Sequence, residues 1–155
     1  MGQSDISSNA AHGPDSRRIL YVDKDQGFAM LAKFMLECMG HKVSLFANPE
    51  EAIDALACSP GGWEMVIADF RLEGMSGLEV VKTVQGMYPD LPCGVVSAYC
   101  GRETEKAAQA AGMHPVLVKP VALEEFYTLL ERVSGQVGSA TERVVQPGAD
   151  QSARA

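Results

Sequence analysis

The run Met65-Val66-Ile67-Ala68-Asp69-Phe70-Arg71-Leu72-Glu73-Gly74-Met75-Ser76-Gly77 passes from four small or apolar residues straight into one carboxylate, then into a loop with two glycines. An unbroken apolar run of this length between turn residues reads as a strand buried on both faces. In an open parallel α/β sheet, reactive groups gather where such strands end at the carboxyl edge. Asp69 falls at that edge and is the candidate working residue, to be weighed by what else arrives beside it.

Outward from this strand, strand-like and helix-like segments alternate five times. Ile19-Leu20-Tyr21-Val22 reads as the first buried strand and stops at Asp23. From Gln26 to Met39, Phe28, Leu31, Met35 and Met39 recur at helical spacing, and Gly40 ends the run. Lys42 to Phe46 is a second strand, nearer an edge because Lys42 and Ser44 alternate with Val43 and Leu45. Asn48-Pro49-Glu50-Glu51 is a helix start: a capping side chain, proline at the first helical position, then acids facing the positive helix end. That helix fades by Cys58, and Trp63 is expected to pack over a sheet edge.

After the Asp69 strand, Ser76-Gly77-Leu78-Glu79 has the form of a capping box and opens a third helix, which Gly86 is expected to close. Leu91 to Ser97 is the fourth strand, with Pro92 at its entry, where a missing amide costs little. Arg102 to Ala111 is an alanine-rich helix with little apolar area to anchor it, ending at Gly112. Val116-Leu117-Val118 is the fifth strand and reaches Lys119-Pro120. A last helix carries Leu123, Phe126, Leu129, Leu130 and Val133 on one face. Parallel strands need crossovers, and crossovers bury both sheet faces, so five such units predict a doubly wound parallel sheet.

A chain of 155 residues with 46% hydrophobic content holds one domain with an ample core. The net charge of -7 argues against general affinity for nucleic acid or anionic membrane. Cys38, Cys58, Cys93 and Cys100 show no metal-finger or CxxC spacing and read as reduced thiols of a cytoplasmic protein. Residues 1–16 lack the basic start and apolar run of a signal peptide, and Ile6 stands where a myristoylation motif needs Ser or Thr. Residues 1–16 and 135–155 are read as flexible tails around a domain spanning 17–134.

Asp23 follows the first strand, Asp69 the third, Ser97-Ala98 the fourth, and Lys119-Pro120 the fifth. These four motifs, in this order and at these spacings, resemble the receiver domain of two-component response regulators. The resemblance covers about Arg17 to Ser134. It implies a flavodoxin-like (βα)5 fold with a five-stranded parallel sheet in the order 2-1-3-4-5. It implies further that Asp69 accepts a phosphoryl group from a histidine kinase or a histidine phosphotransfer protein. The residue types suit that chemistry. An ionised carboxylate approaching phosphorus is repelled by the phosphoryl oxygens, and placed cations and hydrogen-bond donors offset the repulsion. On the resemblance, Lys119 supplies an ammonium to one phosphoryl oxygen, and Ser97 donates its hydroxyl to another. Asp23, Asp69 and the backbone carbonyl of Arg71 would hold Mg2+, a hard cation that takes oxygen ligands.

The chain departs from the family at Lys24. Receivers usually carry two adjacent acids after the first strand, whereas this chain reads Asp23-Lys24-Asp25. A lysine there removes one anionic ligand and adds a positive charge, and near-surface charges interact by up to several kcal/mol at an effective dielectric near ~20. Weakened magnesium binding is expected. Three outcomes stay open: Asp25 substitutes as a ligand, the Lys24 ammonium pairs with Asp69 in place of the metal, or Lys24 points to solvent and Asp23 serves alone. Glu73 stands where proline is common. Val116 stands where an aromatic switch residue is frequent, leaving Tyr99 as the nearest candidate for that role. Arg71 and Tyr99 flank the path of attacking water, which implies slow hydrolysis of the acyl phosphate.

The reading is therefore a stand-alone phosphorelay receiver that signals by protein contact or onward phosphoryl transfer. The helix 4–strand 5–helix 5 face is the family's usual contact or homodimer surface. The alternative is a phosphorylation-independent adaptor whose site is occupied by Lys24. Enzymatic readings fit poorly. The aspartyl phosphatase pattern wants an acid where Arg71 stands, and a nucleotide binder wants a glycine-rich loop where the chain has Asp23-Lys24-Asp25-Gln26.

Overall fold

The computed structural model describes residues 16–99, 101–113 and 116–132. The stretches read as tails, and Val133, lie outside the described residues except for Ser16. Five strands and five helices alternate. They are β1 (Arg18–Val22), α1 (Gln26–Cys38), β2 (Lys42–Phe46), α2 (Pro49–Cys58) and β3 (Met65–Asp69), then α3 (Gly77–Met87), β4 (Cys93–Ser97), α4 (Arg102–Ala110), β5 (Leu117–Val118) and α5 (residues 123–132). The strands form one parallel sheet in the order β2-β1-β3-β4-β5, the doubly wound flavodoxin-like arrangement.

Side chains alternate across the sheet because a strand repeats every two residues. Ile19 and Tyr21 of β1, Ile67 of β3 and Val96 of β4 face α1 and α5, where Ala29, Ala32, Leu36, Phe126 and Leu130 close the layer. Leu20, Val22, Val66, Ala68 and Val95 face the other way, onto Leu56 of α2, Val80, Val81 and Val84 of α3, and Ala108 of α4. Every residue of β3 is buried, as expected of a central strand covered on both sides. In β2, an edge strand, Lys42 and Ser44 are exposed while Val43 is buried.

Helix starts follow local sequence closely. Asn48 accepts the N–H groups of Glu50 and Glu51, with Pro49 at the first turn of α2. The capping box at α3 is complete: Glu79 N–H donates to the Ser76 hydroxyl, and Ser76 N–H donates to the Glu79 carboxylate. Gly77 lies so near the end of β3 that a Cβ there would overlap the Asp69 carbonyl, so the loop after Asp69 closes only on glycine. Trp63 meets Phe46 of the edge strand β2 edge-on, at 6.3 Å between ring centroids.

Several expectations are corrected. In α1 the fully buried side is made by Ala29, Ala32 and Leu36; Phe28, Met35 and Met39 sit at its margin, and Leu31 is 47% exposed. Small alanines let the helix axis approach the sheet, while Phe28, Met35 and Met39 pack against the same core and only Leu31 of the expected stripe turns outward. Gly86 does not close α3. The helix runs on to Met87, and Tyr88 caps it by donating its N–H to Val84. β4 begins at Cys93, two residues later than expected, although Val66 N–H already donates to the Pro92 carbonyl. β5 begins at Leu117, and Leu123 of α5 is exposed.

Candidate functional site

Strand register brings the polar residues together. Val22 pairs with Ala68, Asp69 with Val96, and Ser97 with Val118, so Asp23, Asp69, Ser97 and Lys119 emerge side by side at the carboxyl edge. This is also where the strand order reverses from β1 to β3, the place where open α/β sheets build their sites.

Asp23 is fully buried and Asp69 only 4% exposed. The Lys119 ammonium stands between them, 2.8 Å from Asp23 Oδ2 and 3.4 Å from Asp69 Oδ2. The Asp69 contact has hydrogen-bond geometry. The contact to Asp23 Oδ2 is the shorter of the two and is an ion pair. Asp69 Oδ1 is buried without a partner. The other Asp23 oxygen accepts the Asp25 N–H at 2.9 Å.

Two carboxylates and one ammonium leave the pocket one negative charge in excess. The electrostatics reflect this. Burial, and next the Asp23 charge, push the Asp69 carboxyl up to about 6, against the pull of Lys119. Burial works against the Lys119 ammonium, but Asp23 and then Asp69 outweigh it, and its pKa is raised. The phenol of Tyr21, beneath Asp23 on the same strand face, is held protonated by burial and by these acids.

An orphaned buried oxygen of Asp69 beside an excess negative charge suits a small hard cation, because carboxylate oxygens are its preferred ligands. The residues therefore fit Mg2+, with Asp23 and Asp69 as the carboxylates and the Arg71 carbonyl next along the loop. Among the described residues no group of three or more His, Cys, Asp or Glu side chains is placed to hold a metal. Asp25 is not drawn in: its Oδ1 caps α1 by accepting the Phe28 N–H at 3.0 Å. Lys24 is exposed and makes no ion pair with Asp23 or Asp69; the cation that reaches the acids is Lys119.

Ser97 is fully buried, but its hydroxyl is turned onto its own loop. It donates to the Tyr99 carbonyl at 2.5 Å and accepts the Tyr99 N–H at 3.3 Å. Tyr99 itself is exposed beside the start of α4, and Arg71 and Glu73 are exposed on the loop after Asp69. Of the residues described in α4, only Thr104 and Ala108 are buried, so that helix is lightly anchored. One participant went unread in the sequence. The Phe28 ring lies 4.7 Å from Lys119 Nζ, and it holds the ammonium over the acids by a cation–π contact. Its place three residues past the Asp25 cap, on the first turn of a helix leaving the site, was the available signal.

An acid pair and a lysine at the carboxyl edge of a 2-1-3-4-5 parallel sheet define a receiver-type α/β domain. Comparison with known proteins agrees: residues 19–131 match the family model described as response regulator receiver domain. The chain belongs to the response regulator receiver family, whose members are signalling proteins of two-component systems. It is similar to an uncharacterized transcriptional regulatory protein, YkoG of Bacillus subtilis, at 28% identity over 81% of this chain and 54% of the relative. It is also similar to the sensory/regulatory protein RpfC of Xanthomonas campestris pv. campestris, at 33% identity over 68% of this chain and 15% of that protein. The chain thus spans about half, or much less, of these relatives. Among solved structures it resembles the chemotaxis protein CheY4 of Vibrio cholerae, with a TM-score of 0.67 and 25% identity over 75% of this chain and 97% of that one. A receiver domain from Clostridium thermocellum shares the fold, with a TM-score of 0.70 at 18% identity over 80% of this chain and 96% of that one. No helix among the described residues is long and apolar enough to cross a membrane.

Proposed function

We propose that this protein takes a phosphoryl group onto Asp69 from a phosphohistidine of a histidine kinase or histidine phosphotransfer protein. It then passes the signal on by protein contact, within the cytoplasm. The observation that carries this reading is the Asp69 carboxylate itself, with one oxygen orphaned and the other held at 3.4 Å by Lys119. In the transfer, an Asp69 oxygen bonds to phosphorus as the phosphorus–nitrogen bond breaks. The bonding pair returns to the donor imidazole. Asp69 must be ionised, and with its carboxyl at about 6 it is so at neutral pH while staying more basic than an exposed aspartate.

Lys119 offsets the negative charge of the incoming phosphoryl oxygens, and Phe28 keeps its ammonium in place. Asp23, Asp69 and the Arg71 carbonyl would hold Mg2+, which supplies further positive charge to the phosphoryl group when bound. With one acid fewer than its family usually carries, the site should hold the ion weakly. Ser97 provides the switch. Its hydroxyl now donates to the Tyr99 carbonyl, and turning it to a phosphoryl oxygen on Asp69 releases the loop that leads into lightly anchored α4. The α4–β5–α5 face is the contact surface that this release would alter.

The test is incubation with acetyl phosphate and Mg2+, read by intact mass, alongside amide NMR shifts on adding Mg2+ and beryllofluoride. A phosphoryl adduct lost in Asp69→Asn, with saturable Mg2+-dependent shifts at Asp69, Ser97 and Tyr99, is expected. Wild-type protein that gives neither adduct nor shift would refute the reading.

A further inference from the structure

At the other end of the same strands lies a cavity of about 510 Å³, within the roughly 300–1,000 Å³ typical of small-molecule sites. It opens where α2 and α3 end and where β1, β3 and β4 begin. Its apolar walls include Leu56, Met87, Leu91 and the rings of Trp63 and Tyr88. The rings are held from behind. The last carbonyls of a helix have no partners within it, and here two of them are taken by the aromatic residues. Trp63 Nε1 donates to the Ala55 carbonyl at 3.3 Å, and the Tyr88 hydroxyl donates to the Leu56 carbonyl at 2.8 Å. With those donors already engaged, the two residues offer ring surface to the cavity.

Side-chain charges at the rim balance, and the helix ends tip it negative. Glu64 and Asp90 line it with Arg17, whose guanidinium donates to the Glu64 carbonyl at 3.3 Å. Both α2 and α3 point their carboxyl ends here, and neither has a basic residue in its last turn to offset the partial negative charge. Arg18 already lies over the Trp63 ring, 5.8 Å from its centroid, and the Glu64 carboxylate also accepts the Arg18 N–H at 2.8 Å. Asp90 is the exposed acid left facing the opening.

We propose that this cavity binds a small aromatic cation, its rings against Trp63 and Tyr88 and its ammonium toward Asp90 and the helix carboxyl ends. The site stands apart from the phosphorylation reading, because β3 begins at the cavity and its fifth and last residue is Asp69. A strand of that length spans roughly 16 Å.

The experiment titrates the full chain with 4-biphenylmethylamine, its neutral counterpart 4-biphenylmethanol and the anion biphenyl-4-carboxylate, followed by amide and indole N–H NMR shifts. Trp63 is the single tryptophan, so its indole N–H is an unambiguous reporter. Saturable shifts at Trp63, Met87, Tyr88 and Leu91 are expected, with the amine binding about tenfold more tightly than the carboxylate. Asp90→Asn, at an exposed position, should weaken the amine about threefold and leave the alcohol unchanged. Asp69→Asn should leave all three unchanged, so the result is independent of phosphorylation. Equal affinity for the three probes, shifts centred elsewhere, or no saturable shift at these residues overturns the proposal.

Discussion

The two ends of the sheet solve opposite problems with the same strands. At the carboxyl edge, Asp69 is buried with an oxygen that no donor meets, and one lysine faces two carboxylates. At the amino edge, Trp63 and Tyr88 give their donors to helix carbonyls, and what remains is shaped apolar space. Unmet negative charge stores a demand for a cation, whereas met hydrogen bonds make a rigid wall. Neutralising a carboxylate should therefore stabilise the fold at one edge, and removing a hydroxyl should destabilise it at the other.

The largest test of that contrast is Asp69→Asn. It should abolish phosphoryl labelling. It should also stabilise the fold at pH 8, because burial and the Asp23 charge raise the Asp69 carboxyl from 3.8 to about 6, so the buried carboxylate weakens the fold. The sign follows from proton binding: between these values the folded chain holds the proton more tightly than the unfolded chain. Wild-type stability should thus fall as pH rises from about 4 to 6 and stay lower above it. Chemical denaturation across that range should show the fall in the wild type and its loss in the variant. A wild type that gains stability over the same interval would break the comparison.

Next in size is Lys119→Met, which removes the ammonium between the two acids. Labelling by acetyl phosphate should slow about 100-fold, as when one positioned donor is lost from a reaction centre. Rapid-quench kinetics would measure it. Gly77→Ala should cost about 1–3 kcal/mol, since its Cβ would collide with the Asp69 carbonyl and push the loop outward. A matching loss of labelling would show how far the site depends on that close approach.

Tyr88→Phe is the mirror experiment at the amino edge. It removes one of the two donors to the Leu56 carbonyl, the Ser59 N–H at 3.3 Å being the other, and should destabilise by about 1 kcal/mol in the same denaturation assay, opposite in sign to Asp69→Asn. The smallest effect separates the thiols. Burial pushes Cys93 up to about 12, so at pH 8 it should resist iodoacetamide while exposed Cys38 and Cys58 react, as peptide mass mapping would record.

Much of this was legible along the chain. The alternation of strand and helix, the caps at Asn48 and Ser76, and the acids and lysine at strand ends depend on neighbours within a few residues, which the sequence states directly. The inward face of α1 was legible only in part: Phe28 and Met35 do pack against the core, but spacing alone also allowed Leu31. The sheet also received Ala29, Ala32 and Leu36 and left Phe34 66% exposed. Residue size weighs heavily in a pattern, but close packing rewards the residues that let backbones approach.

Sequence by itself determined the order of the elements, the parallel sheet and the presence of Asp23, Asp69, Ser97 and Lys119 at one edge. Each of these follows from periodicity and from the two-residue alternation of strands. Tertiary structure decided which cation meets the acids, where the Ser97 hydroxyl points, and that α2 and α3 end around an aromatic cavity. Lys24 and Lys119 carry the same charge, but Lys119 is fed inward from β5 beneath Phe28, while Lys24 leaves the chain on the solvent side. Such choices depend on groups tens of residues apart along the chain, and only the packed sheet sets the distances between them.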